Sequence, residues 1–538
     1  MGRMILLVTW LISFSRYTLW AQQTYYLSPR GSDRQDGRSP RHPWKTILKL
    51  NHTHFLPGDR ILLAGGAVFP GTIILQHSAP GMSIDPLILG SYGKGKATID
   101  GGNGDAIYAG NFSGLEITRL VLRGSGIHTN RGSGIECYGD DTTARIADIR
   151  IAHCSISGFR HYGIVIWSAA SAAVKGFREI RITHCEARDN GLAGIASFSG
   201  NQRRYVHRDF RISWCSADHN PGIASLTSTH SGDGIVMGSV DSLIISHCEA
   251  YDNGRYNACN AGGPVGIWVW LCRHALIQHC LSYDNHTGSL KDGGGFDIDG
   301  GSSDCLMQYN YSHDNDGAGY LLAEYGALLP YRDNIVRFNI SLNDGRKNGY
   351  GGITIWGASP AYQVTESYIY NNLILAGSSS GSTDTPSDVR LLGDHFREVV
   401  LTDNVFLARG RGFLLCSNHT PDTGKIRLMS NDYFHSGSPG CIRWGKDSCL
   451  GWKDWVRIAR GQEMVQGRLV GFQADPQISW PESRKAVVGF RSLRSPQVPF
   501  LNKGVRPDLP PGLLPAALDY YGRRIPQRSP YFIGISAR

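Results

Sequence analysis

The chain has 538 residues, 67 of them glycine, and only 18% are charged. That composition suits strands and turns and argues against a helical bundle; no long stretch repeats its apolar residues every 3.6 positions. The formal charge is +9, but no block of Lys and Arg is interleaved with aromatics, so no nucleic-acid partner is expected.

Residues 1–21 read as an export signal: Arg3, the apolar run ILLVTWLISF, then LWA with small Ala21 at the expected cut. A membrane anchor is the competing reading, but the apolar core is too short to span a bilayer. No other segment is long and apolar enough to cross one, so the expected location is secreted or periplasmic. Removing Arg3 and Arg16 takes the net charge to +7. That excess serves solubility or attraction to an acidic polymer.

Residues 24–100 are rich in short strands such as RILLAGG and TIILQ, and are expected to cap and begin the domain. From 101 to 435 a repeat sets the pattern. Its lines are IRITHCEARDNG from Ile180, FRISWCSADHNP from Phe210, LIISHCEAYDNG from Leu243, LIQHCLSYDNH from Leu276 and LMQYNYSHDND from Leu306, with a weaker copy, IRIAHCSISGF, from Ile149. Cys154, Cys185, Cys215, Cys248 and Cys280 recur every 30–33 residues, as do Asn190, Asn220, Asn253, Asn285 and Asn315. After each line comes a second strand that begins with glycine, such as GIVIW at Gly163, GIWVW at Gly266 and GFDID at Gly295.

A strand–turn–strand unit of this length cannot bury its apolar face alone, whereas stacked coils can. The expected fold is all-β, a right-handed parallel β-helix, with the asparagines hydrogen-bonded from coil to coil in an internal ladder. One cysteine per coil reads as a stack of small buried side chains. With no CxxC, a zinc site is not expected, and a disulfide is more plausible between Cys441 and Cys449. His153, His184, His247 and His279 read as corner residues. Residues 436–538 are expected to pack on the helix as an extension containing a short helix at KDWVRIARG and an extended tail at VRPDLPPGLLP.

The coil repeat, the Asn ladder, the opening YYLSPRGSDRQDGRSPRHPWKTI with LPGDRILLAGGAVFPGTI, and the ending ALDYYGRRIP together resemble the pectate-lyase-like right-handed β-helix superfamily of secreted bacterial carbohydrate-active proteins. The resemblance implies fold more sharply than reaction, because this fold hosts lyases, hydrolases, epimerases and adhesins.

Alternate residues of a strand face opposite sides. In the second strands, the residues one and three after the glycine are apolar and face the core. Those two and four after it face out: Trp268 and Trp270, then Asp297 and Asp299 in KDGGGFDIDGG, then Leu321 and Ala323 with Glu324 at the strand end, then Thr354 and Trp356. Exposed indoles beside acids suit a sugar ring. Same-face neighbours lie ~6.5–7 Å apart along a strand and ~4.8 Å apart between coils, so a carboxyl pair here can reach the separations of ~5.5 Å or ~6.5–9.5 Å used in glycoside hydrolysis.

Three functions compete. The first is a glycoside hydrolase acting on a polysaccharide or oligosaccharide, with Asp297 or Asp299 as nucleophile or base and Glu324 as acid. Lys291, Asp292, His313, Tyr325, Trp268, Trp270 and Trp356 would contact the substrate. The arrangement is similar to that of β-helix β-xylosidases. The second is a lyase with Lys291 as base and calcium held by Asp292, Asp297, Asp299 and Asp316. Calcium lyases of this fold place Lys in a GF-K strand where this chain has Asp297. The third is a non-catalytic adhesin. The hydrolase requires no cofactor and is expected to be a monomer. His230 and Asp233 in HSGDGI are secondary site candidates, read as turn residues ahead of catalysts.

Overall fold

The computed structural model describes residues 22–76, 85–376, 385–437, 442–476 and 478, and the short pieces 503–505, 509, 516–525 and 531–535. The export signal, Cys441 and most of the extended tail lie outside these residues, and with them the expected Cys441–Cys449 pairing.

The chain winds into coils of three strands, each strand joining a different sheet: two of 14 strands and one of 13. Pairing between successive coils is parallel throughout the helix, and only the last pair of one sheet, Ile442–Trp444 with Asp447–Leu450, runs antiparallel. Coiling begins with Thr24–Leu27 on Arg60–Ala64, so the N-terminal region is already part of the helix. The glycine-led strands form one 14-stranded sheet, called here the site sheet; it includes Val265–Trp270, Gly294–Ile298, Tyr320–Glu324 and Gly351–Gly357. The short helix covers Trp452–Ile458. Among the described residues no helix is long and apolar enough to cross a membrane.

Inward residues pack in register. Ile267, Phe296, Tyr320 and Ile353 form one column of the site sheet and Val269, Ile298, Leu322 and Ile355 the next, all within the main core. Cys154, Cys185, Cys215, Cys248 and Cys280 stack as free buried thiols. The histidines before them sit at a corner with φ of 52–55°, and there His153, His184, Trp214, His247, His279 and Tyr309 stack ring on ring along the outside.

The Asn ladder is continuous. Asn190 donates its backbone N–H and its side-chain amide to Asn220 Oδ1, and Asn220 repeats the pattern onto Asn253. The chain of bonds passes through Asn285 and Asn315 and ends on Asp344. A second ladder begins where the cysteines stop: the Cys280 N–H donates to Asn310 Oδ1, and the bonds run through Asn339, Asn372, Asn404 and Asn431 to Glu463. Each member donates toward the C-terminus, so the last needs only to accept, and a carboxyl fits that place. Asn253→Ala would strip Asn220 of the acceptor for two buried donors, at about 1–3 kcal/mol per orphaned group. A lowered denaturant midpoint is the expected result.

Candidate active site

The register places Trp268, Asp297, Leu321 and Thr354 side by side on the outer face of the site sheet. Asp299 follows Asp297 on the same face, its N–H donating to Val269 O. The glycines flanking these acids serve close packing. A Cβ on Gly295 would stand 2.2 Å from Ser312 Oγ, at the ladder corner, and one on Gly300 would meet the Tyr325 ring at 2.4 Å.

This face is not the open trough expected from the strand pattern. Asp297 is 3% exposed and Trp268 5%, because loops entering the site sheet and the turn after Tyr320–Glu324 wall it in. The result is a cavity of about 270 Å³. Its walls carry His230 from one loop, Cys259, Gly262 and Gly263 from the next, Lys291 and Asp292 from a third, and Tyr350 from a fourth. Trp268, Trp270, Asp297, Asp299, Leu321, Tyr325, Trp356 and Leu392 complete it. Trp270 has room because its neighbour on the previous coil is Gly238, where a Cβ would stand 2.4 Å from the indole nitrogen.

Three carboxyls converge on the cavity. Asp292 sits in the left-handed region at φ 49° and accepts a hydrogen bond of 2.7 Å from Tyr350 Oη. Burial raises its pKa, while Tyr350 and the Gly263 N–H pull back toward the anion. Asp297 has no such help: Oδ1 is buried without a hydrogen-bond partner. Burial first, then the charges of Asp299 and Asp292, push its carboxyl well above the usual range. Asp299 is half-buried and is pushed up to about 8 by burial, against a Gly300 N–H bond, with the charges of Asp292 and Glu324 adding to the rise. Asp297 and Asp299 therefore titrate as a pair that holds a proton at neutral pH.

Glu324 belongs elsewhere. Its Oε2 accepts from Gly301 N–H at 3.0 Å, and its Oε1 from the Gly326 and Ala327 N–H groups at 2.7 Å each. The carboxylate is 3% exposed and does not line the cavity, so the expected acid is instead a clamp that shapes the turn carrying Tyr325. His313 is also misplaced by the sequence reading. It lies on Tyr311–His313 of the 13-stranded sheet, stacked on Tyr283 at 4.7 Å and bonded to Asp314. The calcium quartet is not assembled. Asp316 accepts from Thr287 N–H at 3.2 Å and lies 3.5 Å from His286 Nδ1. Among the described residues no group of three or more His, Cys, Asp or Glu is arranged to hold a metal ion. Lys291 stands at the rim with Nζ 5.7 Å from the Trp356 ring centroid.

Sequence reasoning missed Tyr350 as a cavity residue and ranked His230 and Asp233 as turn residues ahead of catalysts. In the structure, His230 Nδ1 lies 2.7 Å from Asp233 Oδ2, and Asp233 Oδ1 accepts from Val265 N–H and from Trp268 Nε1 at 3.1 and 3.0 Å. The signal was the position of HSGDGI and GYGGI just ahead of site-sheet strands.

A family model described as a right handed beta helix region matches residues 173–374. The fold is the right-handed parallel β-helix. A curated relative, lacto-N-biosidase of Bifidobacterium longum subsp. longum, is 23% identical over 425 residues, covering 60% of this chain and 26% of that protein. The chain thus spans about a quarter of that relative's length. Among solved structures, the GH136 lacto-N-biosidase of Eubacterium ramulus superposes with a TM-score of 0.50 at 19% identity, over 69% of this chain and 67% of that one. The A-module of the mannuronan C-5 epimerase AlgE6 of Azotobacter vinelandii gives 0.47 at 13% identity, over 78% and 92%.

Proposed function

We infer that the protein is a glycoside hydrolase acting outside the cytoplasm on an oligosaccharide or polysaccharide. The observation that carries this reading is the convergence of Asp292, Asp297 and Asp299 on a cavity walled by indoles. Burial raises all three, but only Asp292 has both a side-chain and a backbone donor, Tyr350 Oη and the Gly263 N–H, pulling it back toward the anion. Glycosidases divide labour in this way between two carboxyl groups.

Asp299, the more accessible member of the proton-sharing pair, gives its proton to the glycosidic oxygen as the bond to the anomeric carbon breaks. Asp292, oriented by Tyr350, faces the developing positive charge, either attacking the anomeric carbon or deprotonating the water that does. Water supplies the hydroxyl of one product and the proton that restores the acid. Trp268, Trp270 and Trp356 offer apolar surface to the C–H faces of sugar rings. The likeness to a lacto-N-biosidase supports the hydrolase reading and nominates lacto-N-biosides as first substrates.

An acidic glycan fits this cavity poorly. Its carboxylate would lie against Asp292, the member kept toward the anion, and Lys291, the base a lyase would need, is at the rim on Trp356. The testing experiment incubates the protein with an aryl lacto-N-bioside, a panel of other aryl β-glycosides, pectin and alginate. Release of the aryl alcohol without an ultraviolet-absorbing unsaturated sugar is expected. Unsaturated product from pectin or alginate would overturn the reading.

A further inference from the structure

Beside the three acids, the cavity wall contains an oriented His–Asp pair that the hydrolytic steps above do not use. Asp233 is 1% exposed and fully engaged: Oδ1 takes the Val265 N–H and the Trp268 indole N–H, and Oδ2 takes His230 Nδ1. The imidazole packs edge-to-face on Trp268 with centroids 5.2 Å apart. On its other side it rests against Gly263, where a Cβ would stand 2.7 Å from His230 Cβ. Its ring orientation is thus set from three directions, and with Nδ1 committed to Asp233, Nε2 is the nitrogen left over in a residue that lines the cavity. A bound carboxylate at Nδ1 fixes the tautomer and position of the other nitrogen, as it does for histidines in many sites.

We propose that His230 is a substrate-binding residue whose Nε2–H donates to an oxygen of the bound sugar, with Asp233 as the positioning residue that holds the imidazole aimed. This rests on the glycosidase reading and names a specificity group within that site. The groups facing the imidazole are Asp233 beside it, Asp292 from the loop before Gly294–Ile298 and Asp299 from the end of that strand. Burial works against the cation, but the charge and hydrogen bond of Asp233, then the charges of Asp299 and Asp292, raise the pKa of His230 above its ordinary value. A charged donor binds a sugar oxygen more strongly than a neutral one, so a shift toward the protonated ring strengthens the bond that Nε2–H would make.

The test measures KM and kcat with an aryl lacto-N-bioside for the native enzyme, His230→Gln and Asp233→Asn, at about pH 5 and about pH 7.5, with melting temperatures as the folding control. His230→Gln is expected to raise KM about 10–100-fold at both pH values, the worth of a charged hydrogen bond, with a much smaller change in kcat. Asp233→Asn removes the anion that favours the protonated ring. Relative to native enzyme, it is expected to raise KM near pH 7.5 and to recover near pH 5, where the ring protonates without help. An Asp233→Asn protein that melts lower and has KM raised alike at both pH values would show a merely structural role, which overturns the proposal. Unchanged KM in His230→Gln, with the native enzyme active, overturns it as well and leaves the glycosidase reading standing. A native enzyme inert on every glycoside overturns both.

Discussion

Asp299→Asn is expected to lower kcat/KM by about 10²–10⁴-fold, the usual contribution of a positioned general acid, with a melting temperature at neutral pH at least as high as the native protein's, since the amide also relieves a carboxyl whose pKa burial raises. Asp292→Asn should lose at least as much, because the amide can neither attack nor deprotonate water. Glu324→Gln should behave in the opposite way. Its carboxylate takes three backbone N–H groups, and an amide side chain offers one oxygen for them. Hydrogen bonds to a charged group are worth about 1.5–3 kcal/mol each, so stability should fall by an amount of that order. Activity should follow the fraction still folded, apart from a rise in KM as the turn bearing Tyr325 loosens. Kinetics and thermal melts of the three variants side by side check this division. A folded, inactive Glu324→Gln protein would return the acid role to Glu324.

Asp297→Asn is expected to stabilise the protein at neutral pH. Its buried carboxyl has a raised pKa in the folded state, whereas the unfolded chain titrates near ~3.9. The folded form therefore holds a proton that the unfolded form releases. For such a group the favourable contribution is complete below the unfolded pKa and is lost as pH rises toward the folded value, at about 1.4 kcal/mol per unit. An amide does not titrate. The variant should thus match native protein near pH 4 and exceed it increasingly toward pH 7. The same change removes one member of the proton-sharing pair. In native protein Asp297 keeps its proton while Asp299 titrates, and the charges that raise Asp299 are those of Asp292 and Glu324, so the alkaline limb of the pH–rate profile should stay in place. Melting curves across pH, with a pH–rate profile, check both parts; equal stability of the two proteins at all pH values would contradict the burial argument.

The solenoid was legible because its physics is periodic. A 30-residue register sets the coil, and period two along Gly266–Trp270 and Gly295–Asp299 assigns Ile267, Val269, Phe296 and Ile298 to the core and Trp268, Asp297 and Asp299 to the outside. The second ladder was open to the same reasoning, since Asn310 and Asn339 take the place of the cysteines in QYNYS and RFNIS. What periodicity cannot supply is the roof. Asp297 faces outward and is still buried, because loops carrying His230, Gly263, Asp292 and Tyr350 close over it, and a loop's path depends on contacts remote in sequence. The surroundings of Glu324 were out of reach for a related reason. It ends its strand, where alternation gives way to the turn, and three backbone donors decide where its carboxylate goes. His313 resembled a site residue by composition but belongs to another sheet.

The measurement that bears most directly on the central claim is mass analysis of the products formed in heavy-oxygen water, comparing the native enzyme with Asp299→Asn. The account predicts one heavy oxygen in the released sugar, entering at the anomeric carbon, and loss of that product in the variant. Cleavage without incorporated solvent oxygen, or full incorporation by the variant, would contradict it.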